Sequence, residues 1–113
     1  MSTETSALRT RLRDDLRSAM KDRDTLTTKT LRSMLEAMDN ASAIPMTAEH
    51  VPVYGRSGDV PRRIVTEDDY RRIVRNEAAA RQAAAQEYER LGRIEAAAQV
   101  RAELEVVLRY IDL

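Results

Sequence analysis

The chain has 113 residues, balances 19 basic against 19 acidic side chains, and contains no cysteine, phenylalanine or tryptophan. That length suits one domain around one core. The balance excludes a uniformly basic nucleic-acid coat, and the absent cysteines exclude disulfides, thiolate nucleophiles and cysteine metal sites.

The apolar supply is Ala, Leu, Val and Met with four Tyr, which suits helices meeting across small and aliphatic side chains and suits β-sheets poorly. Met1-Ser2-Thr3-Glu4 has no basic region followed by an apolar run, so no secretory signal is expected. No apolar stretch approaches the roughly 18–20 residues that span a bilayer. The expected compartment is the cytoplasm, with no membrane partner.

Leu8, Leu12, Leu16, Ala19 and Met20 recur at spacings of three and four and predict a helix over 7–22, with Ser6 as its N-cap. Residues 7–23 carry six basic side chains against three acidic ones. Arg9, Arg13 and Arg17 fall at i, i+4 and i+8, a stripe beside the apolar face. Such a row either meets an anion or pairs with acids of helices 3 or 4 while its stems cover the core. Asp24 predicts the cap of a second helix carrying Leu26, Leu31, Met34, Leu35 and Met38. The short connection makes 7–41 an antiparallel hairpin.

Residues 42–65 hold all three prolines and two of the three glycines and lack helical periodicity, which predicts an irregular loop. His50, the single histidine, lacks the companions a metal site needs. Arg56-Ser57-Gly58-Asp59 has the flavour of a phosphate loop without the Lys-Ser/Thr pair or the preceding strand, and Arg62 and Arg63 add a small basic patch.

Thr66-Glu67-Asp68-Asp69 resembles a capping box with acids at the positive end of the helix dipole. Tyr70, Ile73, Val74, Ala78, Ala84, Tyr88 and Leu91 form the stripe of a third helix, which Gly92 stops. At 1.5 Å per residue, its roughly 25 residues span about 37 Å. A fourth helix follows over 94–110, with Ala97, Val100, Leu104, Val107, Leu108 and Ile111 as its seam. The second hairpin, 66–111, is the longer one. Six of the eight residues from Ala78 to Ala85 are Ala, so this end should be thin and covered by the first hairpin or by a partner chain. The fold class is all-α: two unequal antiparallel hairpins in one domain, 1–113.

No catalytic, cofactor or metal residues emerge. The glutamates suit i, i+4 pairs such as Glu77 with Arg81 and Glu105 with Arg109. No Glu-x-x-His motif serves a di-metal bundle, and no serine sits in a Gly-x-Ser-x-Gly elbow.

Leu16, Ala19-Met20-Lys21-Asp22-Arg23-Asp24, and Leu31-Arg32-Ser33-Met34-Leu35 with Ala37 and Asn40 resemble the first hairpin of the GatB/YqeY family. Arg81, Tyr88-Glu89, Gly92-Arg93, Glu103 and Tyr110 resemble its second. The resemblance implies an all-α module akin to the tail of the tRNA-dependent amidotransferase B subunit, which engages tRNA while the chemistry happens elsewhere. Ala79 stands where the family usually has Lys, and Val100 where it has an acid. The chain stops at Leu113 where the family runs Leu-Pro into a second domain, so the expectation is the N-terminal four-helix domain without the tail.

The resemblance thus implies a non-catalytic accessory to tRNA-dependent amidotransfer or another tRNA transaction. Its partner would be tRNA or an amidotransferase or tRNA-processing protein. Candidate contacts are Arg9, Arg13, Arg17, Arg32, Arg81 and Arg93. Structural roles compete for the matched residues: Arg93 capping its turn, Arg81 pairing with Glu103, and Tyr110 packing near helix 1. A protein-interaction or self-association module, forming a homo-oligomer through the alanine-rich hairpin, is the alternative. A glutamine-dependent ligase acting alone is not expected without Cys or a Ser-Ser-Lys set.

Overall fold

The computed structural model of the protein describes residues 6–41 and 65–112. They form four helices, α1 (Ala7–Lys21), α2 (Thr25–Ala41), α3 (Glu67–Arg90) and α4 (Ile94–Leu108), and the described residues contain no strand. The class is all-α, as the periodicity predicts. His50, the Arg56–Asp59 segment, Arg62 and Arg63 lie outside the described residues.

Local chemistry fixes the helix ends. Ser6 Oγ accepts from the Arg9 amide at 3.0 Å, and Asp24 Oδ1 accepts from the Thr27 amide at 3.1 Å. At α3 both halves of the capping box form: Thr66 Oγ1 accepts from the Asp69 amide at 3.1 Å, and the Thr66 amide donates to Asp69 Oδ2 at 3.0 Å. The short Asp side chain therefore reaches as the usual Glu does.

Both hairpin turns close the same way. The Asp24 amide donates to the Ala19 carbonyl at 2.9 Å and the Arg23 amide to Met20 at 3.2 Å. The Arg93 amide donates to Tyr88 at 2.8 Å and the Gly92 amide to Glu89 at 3.1 Å. This is the Schellman pattern, which needs a left-handed residue after the helix. Gly92 fills that position with φ 76° and Arg23 with φ 57°.

The α2 helix is the centre of the fold, packed against α1, α3 and α4; α1 rests on α2 and α3, and α3 pairs with α4 along the second hairpin. Leu12, Leu31, Met34, Met38 and Val107 are fully buried at their shared junction. Thr30 is buried with them because its hydroxyl donates to the Leu26 carbonyl at 2.8 Å, and among the described residues no buried side-chain N or O is left unpaired.

Packing corrects the expected stripes in three places. Met20 is 49% exposed, because the inner face of α1 is Leu8, Leu12 and Ala19. Leu108 is exposed, whereas Val106 is buried beside Val107. Contact with both α2 and α3 makes α4 bury two adjacent faces, and Leu108 turns a further 100° away. Leu91, expected on the α3 stripe, is exposed at the turn with Ile94. The outer half of the second hairpin is as thin as its alanines predict: Ala85 and Ala97 are buried there, and neither joins the central cluster.

Candidate functional site

The six arginines singled out from the sequence fall into four settings. Arg9 pairs with Asp39 of α2, not with an acid of α3 or α4. Arg81 is sequestered inside the fold. Arg93 is exposed at the N-cap of α4, where its side chain makes no capping bond and only its backbone closes the turn.

The remaining three share one face. On α1, Arg13, Leu16, Arg17 and Met20 follow one another at i, i+3, i+4 and i+7 and lie in one row. With Leu35 of α2 they line a groove of about 320 Å³ between α1 and α2. Leu16 and Leu35 form its floor, seated on the core, while Met20 stands half open above them. Arg32 reaches in from α2, its Nη2 lying 3.7 Å from Met20 Sδ. Among the described residues Arg13 and Arg32 have no carboxylate partner, and Arg17 has only Asp14, at 3.5 Å on its own helix. The sequence held the row but not the groove, because Met20 reads as core until α2 is placed beside it.

A second polar cluster ties three helices together. Arg81 Nη1 donates to Glu77 Oε1 at 2.7 Å, Nε to Glu103 Oε1 at 3.3 Å, and Nη2 to Ser33 Oγ at 3.4 Å. Lys29 of α2 meets the other oxygen of Glu103 at 3.3 Å. The Arg81 and Glu103 side chains are each 13% exposed. With its guanidinium thus occupied from α2, α3 and α4, Arg81 holds the helices together and presents little to a ligand. The sequence supplied Glu77 and Glu103, and Ser33 only as part of the Leu31–Leu35 stretch; Lys29 carries no signal in it.

A third cluster sits where the chain leaves α4. The Tyr110 hydroxyl donates to Asp15 Oδ2 at 2.6 Å, and Arg11 Nε donates to the same oxygen at 3.2 Å. These residues border a polar cleft of about 350 Å³, together with Arg109, Asp22, Asp24 and Thr27. Arg109 faces this cleft and does not make the expected pair with Glu105 among the described residues. Thr27 hydrogen bonds hold the Asp24 carboxyl below its ordinary range. Its stabilising share is therefore present above that range and is lost as pH falls through the lowered value.

Burial first, and the bond to Asp15 second, push the Tyr110 hydroxyl well above its ordinary value. A raised value means that its contribution is complete below the unfolded-state pKa of about 10 and falls away as pH rises above it. Tyr110→Phe should cost about 1–2 kcal/mol at neutral pH, since it removes a hydrogen bond to a charged acceptor while keeping the ring buried. In urea titrations at increasing pH, the gap between Phe variant and parent should narrow above about pH 10.

No group of side chains among the described residues is arranged to hold a metal ion, and no described helix is long and apolar enough to cross a membrane. A search of curated proteins found no match to the chain, nor did a search of solved structures. A family profile does match, that of the YqeY-like proteins, over residues 9–112. The chain therefore belongs to the YqeY-like protein family.

Proposed function

We propose that this YqeY-family domain is a non-catalytic accessory module that binds a protein partner through the α1–α2 face. The setting implied by its family kinship is tRNA-dependent amidotransfer. The observation that carries the reading is the groove itself: an apolar floor of Leu16 and Leu35, a half-open Met20, and a rim of Arg13, Arg17 and Arg32. Cations and aliphatic surface held open on one face form a binding surface. In the Arg81 cluster the charges are engaged within the fold, and beside α4 Asp15 is taken up by Tyr110 and Arg11.

The purified domain mixed with a purified tRNA-dependent amidotransferase should co-elute with it in size exclusion. Separate elution at tens of micromolar would remove this reading. The domain by itself should leave glutamine unhydrolysed; hydrolysis abolished by changing one of its own residues would overturn the non-catalytic part.

A second reading, direct contact with tRNA, is favoured by the same arginines lacking carboxylate partners. A gel shift at several salt concentrations tests it, because binding through a few phosphates weakens steeply with salt. The exposed Leu91 and Ile94 at the α3–α4 turn favour self-association, and light scattering behind size exclusion reads that directly.

A further inference from the structure

The α1–α2 groove has a chemistry more specific than that of a basic patch. Along α1 the order is cation, apolar, cation, apolar: Arg13, Leu16, Arg17, Met20. Across the groove α2 supplies the same order, with Arg32 one helical turn before Leu35. Both walls thus present guanidinium groups outside an apolar trough continuous with the core.

We infer that this groove takes an amphipathic helix of a partner protein, with aliphatic anchors along one edge and carboxylates on both flanks. Helix-in-groove recognition uses anchors at i, i+3 or i+4, and i+7, the same rise over which Leu16 and Met20 repeat. Methionine suits such a surface because its unbranched thioether repacks around different anchors. Charge complementarity fixes the flanks: Arg13 and Arg32 have no carboxylate partner among the described residues, and the Arg17 pair is long and exposed. An arginine fork takes a carboxylate through two parallel hydrogen bonds.

Two other polyanions fit less well. Single-stranded nucleic acid binds by stacking bases on aromatic rings, and no aromatic residue lines this groove. A phosphate backbone would neutralise the arginines and leave Leu16, Met20 and Leu35 uncovered. An anionic bilayer takes convex apolar faces, whereas two of these three aliphatic groups lie in the floor of a trough.

The inference rests on the reading of the α1–α2 face as the binding face, and its test is independent of any named partner. A displayed library of helices of about 16 residues, with leucine fixed at helical spacing and flanks free to be Glu, Gln or Lys, is selected on the intact protein. Selected flanks should be enriched in Glu over Lys by about tenfold or more. The selected helix should lose about tenfold or more in affinity against Met20→Asp, and against the double variant Arg13→Glu/Arg17→Glu. All three side chains are exposed, so both variants should keep the parent's thermal melt.

Lys-rich or unbiased flanks would overturn the inference, as would undiminished binding to Met20→Asp. Displacement of the helix by tRNA or by phosphatidylserine vesicles would reassign the groove to a general polyanion. If a selected acidic helix binds while no amidotransferase does, the family setting fails and the inference stands. If an amidotransferase binds with equal affinity to parent and Met20→Asp, the inference fails and the setting stands.

Discussion

Leu31→Ala should destabilise the domain by about 3 kcal/mol, within the roughly 2–5 kcal/mol measured for emptied core sites. Leu31 is fully buried on α2, which packs against all three other helices, so neighbours on several sides must move to fill the void. For a chain of this size the melting midpoint should fall by roughly 10 °C or more. Far-UV circular dichroism on heating reads the shift. Met20→Ala is the internal control: Met20 is half exposed, and its loss should stay within about 0.5 kcal/mol. Equal losses at the two positions would mean that Met20 belongs to the core after all.

The second large effect is expected at Arg81. Arg81→Ala should cost about 2–3 kcal/mol, because it strands Glu103 in a mostly enclosed position with Lys29 as its remaining partner. Arg81→Lys should recover only part of that loss. An ammonium is a point charge, and it cannot span Glu77, Glu103 and Ser33 as the planar guanidinium does. Glu103→Gln should be milder than Arg81→Ala, since the amide oxygen still accepts from Arg81. Denaturant titration checks all three. A loss below about 1 kcal/mol for Arg81→Ala would place the network on the solvated surface, where such pairs contribute little.

The helices were legible because their causes are local. Apolar spacing, the Ser6 and Asp24 caps, the Thr66 box and the Gly92 stop all act within a few residues, and each is made in the structure. What the sequence missed depends on how helices are placed against one another. Val106 is buried and Leu108 exposed because α4 touches two helices at once, a fact that no single-helix stripe encodes. Arg81 finds Ser33 across 48 residues of chain, and Arg9 finds Asp39 across 30. No spacing rule reaches that far.

The groove was partly legible: Arg13, Leu16, Arg17 and Met20 are visible as a row, but their exposure follows from the docking of α2. The resemblance to the family located Arg81, Glu103 and Tyr110, and the structure gives all three roles within the fold. An open Met20 above an apolar floor of Leu16 and Leu35 distinguishes the α1–α2 face from those clusters. A side chain whose charge is already engaged stabilises the fold, while one held out over apolar surface is available for binding.

On the proposal made for the α1–α2 face, binding and folding use separate side chains. Isothermal titration of a purified tRNA-dependent amidotransferase with the parent protein and with Met20→Asp tests it most directly, with the thermal melts recorded alongside. We predict saturable heat for the parent, its loss in Met20→Asp, and superimposable melts for the two proteins. Equal heats from both proteins, or a collapsed melt for the variant, would show that Met20 does not serve binding apart from folding.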